Sequence, residues 1–455
     1  MATRELLDSV GFLKRSAAAE LRRFVRTHRG TAYAEMRFEA VFHRSAAAND
    51  GEPRDSTEAE TAALGLAVHY GERGGVIGRG QTGVEVGRLA LSRAKLIAAL
   101  RQGLEEALVR ARYDGRHKLA LMKELGGAAS SLSAAAMYEP STACDTIEAV
   151  YRRDPRGLDP IELRDICCEA SKAITGLGSE IAFNVVAAMS ELRRELFVNS
   201  AGALIDQGFA FAQGDCYVVA QSAHGHQENY DTIGQQRGFE CLAEGYRSEL
   251  MPNPDLQTFA LDLAKEAQEL AGAPALKSTD REVVVVTDPH FNALVSHEIV
   301  GHPCEADRAL KMEAAYAGRS WLLRSLAENE IGQRIGSELL SACSDPSLEG
   351  YGHYRYDHEG TEGRRAQHIE NGIFRGFLNS RATAAALGVE PNGSARASEA
   401  WHVPLIRMSN TFFVPGASDP QKIIGEVEQG YYVCGNLIPS IAESRENFRI
   451  SARKI

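Results

Sequence analysis

His297-Glu298-Ile299-Val300-Gly301-His302 follows shortly after the apolar run Glu282-Val283-Val284-Val285-Val286-Thr287. Two imidazoles and a carboxylate within six residues are a pattern that can hold a catalytic metal. Imidazole nitrogens are good zinc ligands, and a catalytic zinc needs a nearby carboxylate to take a proton from its water. The familiar HExxH pattern places its histidines at i and i+4 on one helix face. Here the spacing is i and i+5, which on an ideal α-helix turns the second ring about 140° from the first. Gly301 before His302 and Pro303 after it offer a remedy, because glycine bends cheaply and a residue before proline is pushed out of the α region. The expectation is a helix from about Phe291 that loosens at Gly301-His302. A π-type turn with i to i+5 hydrogen bonds would serve equally well. Pro303 is then expected to open a new helix with Glu305 and Asp307 in its first turns.

Other segments extend the pattern. Phe197-Val198-Asn199-Ser200-Ala201-Gly202-Ala203 reads as a strand and turn, and Gly238-Phe239-Glu240 to Gly245 follows it. Downstream lie Tyr356-Asp357-His358-Glu359-Gly360-Thr361, Ile369-Glu370-Asn371-Gly372-Ile373-Phe374-Arg375-Gly376-Phe377, Pro391-Asn392-Gly393-Ser394-Ala395-Arg396 and Arg407-Met408-Ser409-Asn410-Thr411. In this order they resemble the "DDEGT", "IENGILKGY", "PTGNGRR" and "PRMTNT" segments of the TldD/PmbA family, whose TldD-type members are zinc metallopeptidases built on an HExxxH helix. The resemblance runs from Phe197 to the end of the sequence and is looser before it.

The resemblance implies that His297 and His302 hold Zn2+ and that Glu298 is the general base. It also implies a deep cleft for unfolded or small peptides, and pairing of two subunits as a homodimer or as a heterodimer with a TldD/PmbA paralogue. The family's third ligand is a cysteine in a late "CGKxGQ" segment, which has no counterpart here. Ser451-Ala452-Arg453-Lys454-Ile455 resembles the strand that comes before it, and Asn436-Leu437-Ile438-Pro439-Ser440-Ile441 replaces the family's "GGGQVD". Either the protein is shortened or the ligand comes from elsewhere. Cys304, Cys343 and Cys434 offer thiols, and Glu305 or Asp307 could supply oxygen. A non-catalytic partner subunit and a zinc hydrolase of non-peptide amides are the rival readings.

The chain has 455 residues, too many for one core, so two or three domains are expected. Hydrophobic residues make up 44% and charged residues 24%, as in an ordinary soluble globular protein. Long apolar runs of membrane-spanning length are missing, so no membrane span is expected. Met1 to Asp8 carries acidic residues and lacks an apolar signal core, and a cytoplasmic location is expected. The 8 cysteines show no disulfide framework, in keeping with a reducing compartment. A net charge of −11 argues against a nucleic-acid partner, which would need a basic footprint.

Val10 to His28 reads as an amphipathic helix, Ala32 to His43 as a strand, Leu64 to Tyr70 and Gly74 to Gly87 as strands and turns, and Leu91 to Arg112 as a helix. Gly115 to Pro140, with Gly126-Gly127 and Ser130-Ser131, reads as loop. Asp159 to Ala173 is a helix, Ile181 to Tyr230 several antiparallel strands, and Asp255 to Leu270 a linking helix before the boundary at Gly272-Ala273-Pro274-Ala275. The fold class expected is α+β: N-terminal α/β domains with antiparallel strands, then a β-rich C-terminal domain carrying the HExxxH helix. The domains are expected at 1–115, 116–248 and 249–455. His224-Gly225-His226 reads as a polar strand end rather than a metal pair. His353 and His358 read as structural or substrate-facing, and Asn371-Gly372 as a hairpin turn.

Overall fold

The computed structural model describes residues 2–71, 76–86, 92–125, 137–248, 252–274, 276, 281–312, 318–325, 328–437, 440–442 and 447–455. Helix α1 (Ala2–Thr27) leads into β1 (Thr31–Asn49), β2 (Glu52–Gly71), β3 (Ile77–Glu85) and α2 (Arg93–Leu125). Then come β4 (Cys144–Ile147), α3 (Pro160–Thr175), β5 (Ile181–Asn199), β6 (Leu204–Ser222), β7 (Gly225–Gln235) and α4 (Leu256–Gly272). These strands form one sheet in the order β3-β2-β1-β5-β6-β4, with β7 also paired to β6. Only β4, parallel to β6, departs from antiparallel pairing in this sheet.

Side chains alternate along a strand, so residue parity sorts the two faces of this sheet. Even-numbered Met36, Phe38, Leu64 and Leu66 meet Leu13 and Leu21 of α1 and Leu100 and Leu104 of α2. Farther along the same face, Ala46, Ala48, Val186 and Val218 meet Leu163 and Cys167 of α3 and Leu256 and Leu263 of α4. The odd-numbered Glu35, Arg37 and Glu39 point the other way, yet they are buried too. The segment Ala400-Trp401-His402 packs on this face at Arg37. Arg37 donates to the His402 carbonyl, and Gln81 Nε2 donates to the Trp401 carbonyl at 2.8 Å. Gly65 and Gly83 make room for this segment: a Cβ on Gly65 would lie 1.6 Å from the Ala400 carbonyl oxygen, and one on Gly83 would lie 2.0 Å from Trp401 Cβ.

Helix α2 runs through Gly115 to Leu125, where a loop was expected. The glycines explain it. A Cβ on Gly78 would sit 2.0 Å from the Ala111 carbonyl oxygen and 2.5 Å from Gly115 N, so Gly78 and Gly115 let helix and strand touch rather than marking a turn. Gly126-Gly127, Ser130-Ser131, Gly74-Gly75 and Gly87 lie outside the described residues, as do Ile438 and Pro439.

The C-terminal part is β-rich. It holds β8 (Val284–Thr287), the motif helix beginning with α5 (Pro289–Val295), β9 (Ala342–Ser344), β10 (Ala366–Glu370), β11 (Ile373–Phe374), α6 (Arg381–Leu387), β12 (Ala395–Arg396), β13 (Leu405–Ile406) and β14 (Thr411–Phe413). After these come β15 (Gly430–Asn436), β16 (Ser440–Ile441), β17 (Phe448–Arg449) and β18 (Ala452–Lys454). They pair as β11-β10-β9-β14, β18-β15-β8, β12-β13 and β16-β17. The β10–β11 hairpin turns at Asn371 and Gly372, with φ of 49° and 79°, the conformation an Asn-Gly pair favours. Val300, Cys304, Leu322, Ile369, Phe374 and Ile406 form its core, so the motif helix is seated directly in apolar packing. The whole is an α+β fold.

Candidate metal centre

Helix α5 starts cleanly. Asp288 Oδ1 accepts from Phe291 N at 2.6 Å, and Pro289 occupies the first turn, where its missing N–H is no loss. From Ser296 to Gly301 the helix widens to a π turn, and the His302 N–H donates to the His297 carbonyl five residues back. Of the two remedies considered for the i, i+5 spacing, this is the one adopted. The backbone does not unwind: Gly301 (φ −59°, ψ −58°) and His302 (φ −62°, ψ −43°) both stay in the right-handed helical region. An α-helical proline collides with the carbonyl four residues earlier, and the wider turn relieves that collision. Pro303 then sits within a 3₁₀ turn, His302–Cys304, and the next short helix begins at Ala306 with Glu305 as its cap, rather than at Pro303. Gly301 also lets Met408 approach, since a Cβ there would lie 1.9 Å from the sulfur.

The π turn brings the two rings together. Their centroids lie 4.6 Å apart at an interplanar angle of 81°. One nitrogen of each ring and one Glu298 carboxylate oxygen all fall within 4.8 Å of one another. His297 Nε2 and Glu298 Oε1 are 4.0 Å apart. The His297 side chain is half exposed, and Glu298 is largely covered. Burial and then the neighbouring His302 ring push the His297 pKa down, which favours the neutral imidazole that a metal requires.

His302 is held from behind. Its Nδ1 lies 3.0 Å from Glu305 Oε2, so Nδ1–H donates to that carboxylate and Nε2 is left with a lone pair facing away from it. Glu305 is fully buried and is paired with Arg308; Arg407 lies 4.0 Å from its other oxygen. Burial pushes the Glu305 carboxyl up to about 7, against the pull of both arginines. Position 305 was read from sequence as a dipole-matched acid and a possible ligand. Its orienting contact with His302 was not foreseen, although the i, i+3 spacing on one helical path was the available signal. Asp307 is likewise committed elsewhere, its Oδ2 accepting from Ile406 N at 3.0 Å. Among the described residues, Cys304, Cys343, Cys434, Glu305 and Asp307 do not join the cluster of His297, Glu298 and His302.

A cavity of about 960 Å³ opens between the odd-numbered face of β5 and β6 and the C-terminal part. Glu191, Arg193, Glu195, Phe209 and Phe211 line one side; Tyr351, Tyr354, Tyr356, Arg396 and Arg407 line the other. The three motif residues are not on its wall. What links the two is the segment after β13: Arg407, on the cavity wall, lies 4.0 Å from Glu305, and Met408 packs on Gly301. His353 and His358 both line it. His358 is fixed, with Nδ1 accepting from Ala397 N at 2.9 Å and Nε2 donating to Glu195 at 3.0 Å. His224 and His226 are exposed at the β6–β7 turn and belong to no ligand cluster among the described residues.

Residues 280–455 match the family model described as PmbA/TldA metallopeptidase C-terminal domain. The chain is 29% identical over 300 residues to a metalloprotease of Methanothermobacter thermautotrophicus, covering 66% of this chain and 61% of that relative. A zinc metalloprotease TldD homolog of Saccharolobus solfataricus is 34% identical over 157 residues, covering 33% of this chain and 32% of its own length. The chain spans less than two thirds of the length of these curated relatives. The crystal structure of TldE from Thermococcus kodakarensis superposes with a TM-score of 0.68 at 18% identity, over 96% of this chain and 86% of that one. At that identity the likeness shows the fold alone.

Proposed function

This chain belongs to the TldD/PmbA family, and from that premise we propose that it is a zinc-dependent peptidase acting on unfolded or small peptides. The observation that carries the reading is the π turn, which sets two imidazoles and one carboxylate within 4.8 Å of one another. That donor set suits zinc, with His297 and His302 as its ligands. When bound, the ion would polarise the scissile carbonyl and lower the pKa of a water toward neutrality. Glu298 takes the proton of the attacking water and delivers it to the departing amine. Glu305 holds His302 in one tautomer and one orientation. Arg407, between Glu305 and the cavity, adds positive charge where the peptide enters.

A second reading is a non-catalytic partner in a TldD/TldE-type pair. The lack of a third protein ligand among the described residues favours it. Zinc content and peptide cleavage separate the two readings. The peptidase reading expects about one zinc per chain, lost in His297→Ala. It also expects Glu298→Gln to keep the zinc while cleavage of an unstructured peptide falls by about 10²–10⁴. Metal-free protein after refolding with excess zinc, or equal cleavage by wild type and Glu298→Gln, would sink it.

A further inference from the structure

The charged groups on the wall of the large cavity fall into two sets. On β5, Arg193 lies among three carboxylates, 2.9 Å from Glu191, 3.7 Å from Glu39 and 3.8 Å from Glu195. Glu195 also accepts from His358. That wall is neutralised within the protein. The facing wall is not. Arg396 is paired with no carboxylate among the described residues; Glu195 lies within its field but is taken by His358. Arg407 has Glu305 at 4.0 Å, and that carboxylate is already committed to Arg308 and His302.

The backbone sets these two guanidinium groups side by side. In the β12–β13 ladder Arg396 stands opposite Leu405. The Arg407 N–H donates to the Ser394 carbonyl at 2.9 Å, which carries the pairing one step further. Opposed residues of an antiparallel pair share a face, so Arg396, Leu405 and Arg407 point the same way, and all three line the cavity. The two arginines are diagonal neighbours, about 7–8 Å apart at the backbone.

Both keep donors that a ligand can reach. Arg396 spends Nη2 on the Met408 carbonyl at 3.2 Å, and its Nε is enclosed, but among the described residues Nη1 is neither bonded nor enclosed. Arg407 spends Nη1 on the Ile406 carbonyl at 2.9 Å. Its Nε and Nη2 are neither bonded nor enclosed there, and its side chain is 29% exposed. Tyr354 steadies Arg396 from the flank, its ring centre 4.8 Å from the guanidinium carbon. Two cations facing one cavity focus a positive field into it and favour an anion between them.

Resting on the peptidase reading, we propose that Arg396 and Arg407 hold the C-terminal carboxylate of a short peptide. Guanidinium forks match a carboxylate, and every peptide ends in one, so this anchor needs no particular side chain. Glu305 bridges Arg407, at 4.0 Å, and His302, at 3.0 Å. The anchored end therefore lies within about three extended residues, at about 3.3–3.6 Å each, of the His297–His302 cluster. Water adds to the scissile carbonyl, the C–N bond breaks, and the departing amine leaves on a fragment of one to about three residues.

Titration calorimetry on full-length Glu298→Gln measures binding without turnover. The probes are an acetylated alanine pentapeptide as free acid, the same peptide as C-terminal amide, and an amide carrying one internal glutamate. The free acid should bind at least about tenfold more tightly than either amide, with the gap shrinking as salt rises. Adding Arg407→Gln should close the gap to within about twofold by weakening the acid alone, with the circular dichroism spectrum unchanged. Wild type should show the same preference in kcat/KM and release the C-terminal fragment first. Equal binding of acid and amide would overturn the proposal, as would tight binding of the glutamate amide or a gap that survives Arg407→Gln. A preference for the acid without any cleavage would uphold the anchor and remove the peptidase reading. Cleavage of acid and amide at equal rates would do the reverse.

Discussion

Replacing Gly65 with alanine isolates a contact on the charged face of the sheet. Two effects oppose each other. Alanine restricts the unfolded chain and suits a strand better, which favours the folded state by about 0.5–1 kcal/mol. Against this, the new Cβ would lie 1.6 Å from the Ala400 oxygen, 2.5 Å from its carbonyl carbon and 3.1 Å from Trp401 N. These are backbone atoms, so no side chain can swing aside, and overpacking of this kind costs about 1–3 kcal/mol. Retreat of the segment also strains the bonds from Arg37 and Gln81 to the His402 and Trp401 carbonyls, at about 1–3 kcal/mol for one charged and one neutral donor. The collision wins, and a net loss of about 2–4 kcal/mol is expected. Urea unfolding followed by tryptophan fluorescence reads it directly, because Trp401 is one of only 2 tryptophans. Gly157→Ala is the control: nothing lies within 4 Å of its Cβ, so its midpoint should stay within about 0.5 kcal/mol of wild type. A Gly65→Ala protein as stable as wild type, or more so, would refute the docking of residues 400–402 on this sheet.

Glu305→Gln should weaken zinc binding by about 10–100-fold, measured by competition with a chromophoric chelator, because the amide accepts from His302 without a charge behind it; unchanged affinity would show that Glu305 does not act through His302. His368 predicts a pH effect. Its ring is fully buried, with Nδ1–H donating to the Gly376 carbonyl at 3.2 Å and Nε2 accepting from Ser344 at 2.8 Å. Burial pushes it down to about 4, against an unfolded value of about 6.5. The unfolded chain therefore binds the proton first, and this residue's contribution is complete above pH 7 and is lost between about pH 6.5 and 4, by up to about 3 kcal/mol. The gap in urea midpoint between wild type and His368→Gln should narrow over that range; a constant gap would contradict the burial argument.

The sequence was most legible where local patterns and packing agree. A strand over Ala32 to His43 and a hairpin turn at Asn371-Gly372 were both legible, because strand alternation and turn chemistry are local. Alternation could not say that the charged face of β1 is buried as well, since residues 400–402, which pack on it, come from far along the chain. Gly115 misled for a related reason: a glycine that admits a neighbouring strand looks the same in sequence as one that ends a helix. At the motif, spacing showed that an ordinary helix would fail and left two remedies open. The choice between them depended on the contacts around Gly301, where the approach of Met408 demands a residue without a side chain while the turn itself stays helical.

The strongest physical reason to read the motif as a metal centre lies three residues beyond it, at Glu305. A buried carboxylate paired with arginine is seldom a net gain in stability, since apolar replacements of similar volume are often neutral or better. Glu305 sits with no exposure beside Arg308, and its carboxyl is pushed up to about 7, so the fold maintains it against a desolvation cost. A chain whose only task was to pair with another subunit would lose little if Glu305 and Arg308 were both replaced by apolar residues of similar volume. What Glu305 does provide is a fixed His302, its Nδ1 tied back while the ring sits in one cluster with His297 and Glu298. Orientation of that kind has little value for packing, but it is what a ligand imidazole needs, and it ties the buried carboxylate to the chemistry in front of it.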